Sequence, residues 1–206
     1  NDFLQNTGND NTVSGGVGDD TFISTGDNNE INGRDGNDEA SSTGNSNTLE
    51  GGAGDDTLSS NGAFNTISGG EGADSITIAG SYNSVFAGAG NDTVTINSNH
   101  NLTVHTEDGD DTLIVNSSYN YAHTGTGNDT VIVQGDGNWI FAEQGHDVVS
   151  VMGDSSLIAA GDGNDRVTVT GSNSTVVGEA GADFLNIIGD GNTVGGGEGN
   201  DTIHVT

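Results

Sequence analysis

The chain repeats itself every 18 residues, and that period restricts its folding more than any other property. An aspartate recurs at Asp2, Asp20, Asp38, Asp56, Asp74, Asp92, Asp111, Asp129, Asp147, Asp165, Asp183 and Asp201, with a spacing of 18 except for one step of 19 between Asp92 and Asp111. A one-residue insertion within 97–102 accounts for the longer step. Glycine stands two residues before each of these aspartates after the first, at Gly18, Gly36, Gly54, Gly72, Gly90, Gly109, Gly127, Gly145, Gly163, Gly181 and Gly199. The unit reads approximately N-D-T-V-x-V-x-G-x-x-N-T-V-x-G-G-x-G. A unit this short cannot enclose a core alone, so it has to bury its apolar side against its neighbours.

Apolar residues fall at three places in the unit. They follow the aspartate by two residues (Leu58, Ile76, Val94, Val131, Val167), by four (Ile78, Ile96, Val133, Val169) and by eleven (Leu49, Ile67, Val85, Ile140, Val176). Alternation at period 2, bounded by Gly, Asn and Asp, is the pattern of a short strand. Two strands and two turns per unit make one coil of an all-β, right-handed parallel β-solenoid (a β-roll). Residues 1–206 are expected to form a single solenoid of about 11 coils and a partial twelfth. At ~4.8 Å per coil this is a rod of roughly 55 Å.

Composition alone would suggest something else. Only 30% of the residues are hydrophobic and the formal charge is −29, a combination usual in disordered chains. The repeat argues against disorder. There is no Lys, and Arg34 and Arg166 are the only Arg, so nucleic acid is not an expected partner. No apolar run approaches the ~18 residues that a membrane-spanning helix needs, so no membrane insertion is expected. No Cys is present, which excludes disulfides and thiolate metal sites. The chain starts without Met and shows no signal peptide, as a fragment or processed product would.

The two turns of each coil ask for different chemistry. The first is rich in glycine and carries the aspartate, as in "GGAGDDTL" and "GTGNDTVIV". A phosphate-binding loop would occur once, precede a helix and bring a Lys; this turn recurs and precedes a strand. In a solenoid the aspartates stack in a column about 5 Å apart. Their repulsion would be about 1 kcal/mol per pair in water and several at an effective dielectric near 20. A hard divalent cation between successive coils removes it, and Ca2+ takes six to eight oxygens from carboxylates and carbonyls. Twelve aspartates leave eleven gaps; eleven such ions would bring the formal charge from −29 to −7.

These turns resemble a known family. "GGAGDDTLS" (residues 51–59) matches the G-G-x-G-x-D-x-U-x nonapeptide of the RTX (repeats-in-toxin, haemolysin-type) calcium-binding repeats. "GGEGADSIT", "AGAGNDTVT" and "GGEGNDTIH" fit with at most one change. The resemblance spans the chain. It implies a calcium-binding β-roll that is extracellular or on the cell surface of a bacterium, exported by type I secretion and folded by external calcium. The aspartates and the glycines two residues before them are then the expected metal-site residues, with up to about 11 Ca2+ along one edge.

The second turn departs from the family. Where the family places aspartate, this chain has Asn11, Asn29, Asn47, Asn65, Asn83, Asn101, Asn120, Asn138, Ser156, Ser174 and Asn192. An asparagine ladder is expected along this edge, each amide bonding the next coil and its backbone. Calcium is therefore expected on one edge only, a one-sided layout similar to that of RTX adhesins, ice-binding segments included.

The coils are not equal. Four residues after the aspartate, the first four coils carry Asn6, Ser24, Ser42 and Ser60 where later coils carry Ile or Val. Either the core is poorer there, or small inward serines pack well. Aromatic residues gather beside the asparagine edge: Phe64, Tyr82, Phe86, Tyr119, Tyr121, Trp139 and Phe141, with His100, His105 and His123. They form a cross-coil stack shielding the sheet, a surface for lateral association, or a carbohydrate platform. A histidine metal site lacks a third ligand. The N-D-T triplets at Asn91, Asn128 and Asn200 are coincidental glycosylation acceptors inside the calcium turn.

No catalytic constellation is present, and no enzymatic activity is expected. The leading expectation is a calcium-dependent structural rod: an adhesin stalk, surface-layer component or filament subunit. With no recognisable cap, its ends are expected to meet flanking repeats of the same protein or to associate end to end or laterally with other copies. The alternative is the calcium-folding secretion module of a larger toxin or hydrolase. Ice binding is a minor alternative, since the residue between the turn glycines varies (Val17, Asp35, Ala53, Glu71, Thr126, Asp162).

Overall fold

The protein, described here by a computed structural model over residues 1–97 and 102–206, is a two-sheet parallel β-solenoid. Asn101 and His100 lie outside the described residues. Among those described, 23 strands run from β1 (Phe3–Thr7) to β23 (Thr202–Val205), and none of the described residues is helical. Odd-numbered strands form a 12-stranded sheet and even-numbered strands an 11-stranded one. No strand pairs with its neighbour in sequence; each pairs, in parallel, with the strand one coil away. Thr57 lies beside Ser75 and Leu58 beside Ile76, a shift of 18 residues.

The register locates the insertion. Ile78 pairs with Ile96 at 18 residues, whereas Ser84 pairs with Thr103 at 19, so the added residue lies between Ile96 and Thr103. Both sheets keep their inward columns through it: Val85 sits beside Val104, and Val94 beside Leu113.

Local sequence explains which side faces in. In Thr57–Asn61, Leu58 and Ser60 are buried while Thr57, Ser59 and Asn61 are exposed. Branched Thr and Val suit the half-exposed, pleated surface of the strand. Parallel sheets usually have both faces covered by helices. Here each sheet covers only the inner face of the other. The core is a thin strip of one or two apolar side chains per strand, such as Leu58, Ile67, Ile76 and Ile78, each at most 1% exposed. Two polar corners flank that strip: the aspartates at one edge and the asparagines at the other, both buried.

The core is poorer at the N-terminal end. Asn6 donates its amide to Ser24 Oγ at 3.0 Å, but the buried hydroxyls of Ser42 and Ser60 have no partner. Ser60 lies directly beside Ile78, where the apolar column begins. A buried polar atom without a partner carries its full desolvation cost. The double substitution Ser42→Val and Ser60→Val is therefore expected to stabilise the metal-saturated rod by about 1 kcal/mol per site, or roughly 2–4 °C each. Thermal melting followed by circular dichroism checks this. A lowered melting temperature would mean that the serine column is already tightly packed.

Candidate metal column

Each aspartate of the repeat closes the glycine turn and points into the rod. All ten from Asp20 to Asp183 are at most 3% exposed. The backbone N–H of each aspartate donates to Oδ1 of the aspartate one coil later, at 2.5–3.1 Å, in an unbroken series from Asp2 to Asp201. Such charge-assisted bonds fix the orientation of every carboxylate. They engage only one oxygen. The second, Oδ2, is buried without a hydrogen-bond partner in each of the ten aspartates from Asp20 to Asp183.

The opposite edge supplies the comparison. The N–H of Asn29 donates to Asn47 Oδ1 at 2.7 Å, that of Asn47 to Asn65 Oδ1 at 2.7 Å, and that of Asn65 to Asn83 Oδ1 at 2.8 Å. Asn11 joins the series through Asn29 at 3.0 Å, and Asn120 through Asn138 at 2.9 Å. Ser156 and Ser174 continue it with hydroxyls, ending on Asn192. Here the remaining side-chain atom is a donor. Nδ2 of Asn83 bonds the carbonyls of Gly80 at 2.8 Å and Gly62 at 3.1 Å, and Asn138 and Asn192 repeat this arrangement. The two ladders share their backbone-to-Oδ1 link and differ in one group. Asparagine presents hydrogens to the turn carbonyls, whereas aspartate presents another acceptor.

Oxygens also converge on the aspartate side. A methyl group added to Gly33 would collide with both Asp38 Oδ2 and the carbonyl oxygen of Gly51 in the next coil. Gly51 meets Asp56 Oδ2 and the Gly69 carbonyl in the same way, and Gly178 meets Asp183 Oδ2 and the Gly196 carbonyl. Oxygen faces oxygen with no proton between them. This donor set, carboxylate plus carbonyl, suits a hard cation. No cluster of three or more His, Cys, Asp or Glu occurs among the described residues, so carbonyls would have to contribute much of any coordination sphere.

The glycines two residues before the aspartates answer a different demand. Gly54 has φ +128°, and a Cβ there would strike the carbonyl of Gly36 in the preceding coil; Gly90, at φ +130°, stands in the same relation to Gly72. Close stacking of coils requires glycine at this position, whatever the turn binds.

A third ladder runs outside the turn, and the repeat pattern alone does not call for it. The residue before each aspartate is exposed, and, except at Ala73 and Ala182, its side chain can accept the N–H of its counterpart one coil later. Asn37 N–H donates to Asp19 Oδ1 at 3.0 Å, Asp55 N–H to Asn37 Oδ1 at 3.0 Å, and Asn128 N–H to Asp110 Oδ1 at 2.7 Å. The recurring N-D and D-D pairs are its signal. It runs opposite in direction to the inner ladder and clamps the turns from outside, with breaks after Ala73 and Ala182.

The aromatic residues stack along the rod. Phe64 lies on Tyr82 with ring centroids 5.2 Å apart. Phe86, His105, His123 and Phe141 form a column with steps of 5.4, 5.1 and 4.8 Å. Tyr121 and Trp139 lie alongside, 6.1 Å apart. A shallow depression of about 350 Å³ lies between Tyr119, Tyr121 and Trp139. His123 Nδ1 is paired with Glu143.

Burial dominates the acidity of the column. It pushes Asp56, Asp111 and Asp147 up to about 7 and Asp92 up to about 6, against the opposing pull of the N–H each accepts and, at Asp111, of the Thr106 hydroxyl. Neighbouring carboxylates push the same way. In the unfolded chain an aspartate titrates near 3.9. A raised folded value means that the stabilising contribution is complete below about pH 4 and is lost as pH rises through 6–7. In metal-free buffer more strand structure is thus expected at pH 5 than at pH 8. Far-ultraviolet circular dichroism across that range checks this, and a signal independent of pH would show that the buried carboxylates carry no such cost.

Comparison with known proteins follows the same lines. A family model for the RTX calcium-binding nonapeptide repeat (four copies) matches residues 6–40, 41–76, 80–97, 105–136, 123–155 and 160–186. No curated protein sequence matches the chain. Among solved structures, the chain is similar to a hyperactive, Ca2+-dependent, β-helical antifreeze protein from an Antarctic bacterium. The TM-score is 0.77 at 22% identity, over 98% of this chain and 83% of that one.

Proposed function

Because the chain belongs to the RTX calcium-binding repeat family, we propose that it is an extracellular structural rod, a stalk or filament segment that folds and stiffens as calcium enters the aspartate column. The observation that carries this reading is the row of ten buried Oδ2 atoms, one per coil, without a hydrogen donor. Bound calcium would neutralise these carboxylates and accept the carbonyl oxygens that face them. The chain does the rest. Its backbone N–H groups hold every carboxylate at one angle, and its turn glycines let successive coils approach closely. The apolar strip is too thin to offset a column of buried charge. Folding is then coupled to the metal, and the cation concentration outside the cell decides where the rod forms.

The ice-binding reading has less support. Thr57, Ser75, Thr93, Thr112 and Thr130 form an outward row on the first sheet, but Glu39 precedes it and Val148, Arg166 and Phe184 follow. The regular part of the row is five coils long, and its neighbours include a charge at each end.

Far-ultraviolet circular dichroism is expected to show strand signal with calcium and its loss in excess chelator. Small-angle X-ray scattering should then report a rod that expands to a chain of larger radius. Strand signal unchanged in chelator would remove the calcium account. Ice recrystallisation is expected to proceed normally in the presence of the folded rod, and its inhibition would favour the ice-binding reading instead.

A further inference from the structure

The aspartate column is not uniform on its carbonyl side. Five residues before the aspartate stands glycine in six coils, alanine in three, and threonine in two, at Thr106 and Thr124. In the glycine coils Oδ2 of the aspartate and the carbonyl of the next coil both crowd the place a Cβ would take, as at Gly33, Gly51 and Gly178. Thr106 and Thr124 are completely buried and fill the same position. The hydroxyl of Thr106 donates to the Thr124 carbonyl at 2.9 Å, and that of Thr124 donates to the Ala142 carbonyl at 2.9 Å. These are the counterparts of the carbonyls that face Oδ2 elsewhere. In these two coils a hydroxyl proton already serves the carbonyl, and the threonine side chain takes the place that Oδ2 crowds in the glycine coils.

Two further features coincide with this stretch. The second-sheet strands β14 (Tyr121–His123) and β16 (Trp139–Phe141) have three residues each, against six in β12 (Thr103–Asp108) and β18 (Leu157–Asp162). Pairing resumes beyond them only as single bridges, Asp108 to Thr126 to Gln144 to Asp162. Backbone hydrogen bonds still cross the turn, from Thr126 N–H to the Glu107 carbonyl at 2.8 Å and from Gln144 N–H to the Gly125 carbonyl at 2.9 Å. On the outer face, the stack of Phe86, His105, His123 and Phe141 spans the same coils, with His105 and His123 immediately preceding the two threonines. The coils that hold a hydroxyl in the column are joined from outside by ring stacking.

We propose that Thr106 and Thr124 close the rungs at Asp111 and Asp129 to calcium, dividing the ladder into an N-terminal cation tract and a C-terminal one. This rests on the reading of the aspartate column as the calcium site. The hydroxyl takes over the carbonyl that the cation would otherwise need; Oδ2 of Asp111 and Asp129 stays without a hydrogen-bond partner, and ring stacking supplies the cohesion between coils. The rod thereby acquires a central segment whose integrity depends less on calcium than that of its flanks.

Counting bound calcium ions by native mass spectrometry tests this on the intact chain. Asp111→Asn with Asp129→Asn is expected to leave the count unchanged, whereas Asp38→Asn with Asp56→Asn lowers it by about two. Thr106→Gly with Thr124→Gly is expected to raise it by about two. Loss of ions in the Asp111/Asp129 variant, equal to that in the Asp38/Asp56 variant, overturns the proposal and leaves the calcium ladder standing. An unchanged count in both aspartate variants overturns the ladder itself, and the proposal with it. A folded threonine variant, verified by circular dichroism, that gains no ions also overturns the proposal. If that variant fails to fold, the Asp111/Asp129 count decides.

Discussion

Everything in this rod is organised around a carboxylate that is half satisfied. One oxygen of each column aspartate accepts a backbone N–H from the coil before it, which locks the side chain inside a narrow corner. The other oxygen, in each of the ten from Asp20 to Asp183, is left without a hydrogen-bond partner. Burying an ionised carboxylate in this way is costly unless opposite charge accompanies it. At the opposite corner Asn83, Asn138 and Asn192 place Nδ2 against the turn carbonyls and satisfy them, although Asn29 Nδ2 is left without a partner. The exchange of an amide for a carboxylate separates an edge that can supply protons to its carbonyls from one that cannot. The solenoid needs both: the asparagine edge holds the coils in register, and the aspartate edge makes stacking conditional.

That conditionality is distributed unevenly. The first coils bury serine hydroxyls without partners where later coils bury Ile and Val, so the N-terminal end draws less on apolar burial. The middle coils bring threonine hydroxyls into the aspartate column and carry a stack of aromatic rings outside. The C-terminal half has a full apolar column through Val151, Val169 and Ile187. In a solenoid each coil touches only its neighbours, so local differences of this kind are not averaged over a common core. They turn a uniform repeat into segments that differ in buried apolar area, in hydroxyl placement and in ring contacts.

Much of this architecture is legible in the residues themselves. The 18-residue period, the alternation around Leu58 and Ile76, and the glycines before each aspartate lead directly to paired coils with a one-residue insertion between Ile96 and Thr103. The asparagine column is equally readable, because the second turn replaces a family aspartate so regularly. The outer ladder of Asp19, Asn37 and Asp55 is harder to read although its N-D and D-D signal recurs, since an exposed polar residue beside a turn invites no structural role by itself. The threonines at 106 and 124 are hidden for a stronger reason: a threonine in a glycine-rich turn looks like an ordinary substitution until its hydroxyl has a partner.

The sequence by itself determined the period, the register and the inward faces of both sheets. These follow from short-range alternation multiplied by a repeat, where every coil repeats the same instruction. Only the tertiary structure decided which oxygen of each aspartate is engaged, which carbonyls face the other, and where a threonine hydroxyl intervenes. Those outcomes turn on contacts of about 3 Å between residues a full coil apart. Side-chain identity limits them, but the stacking of one coil on the next selects among the partners.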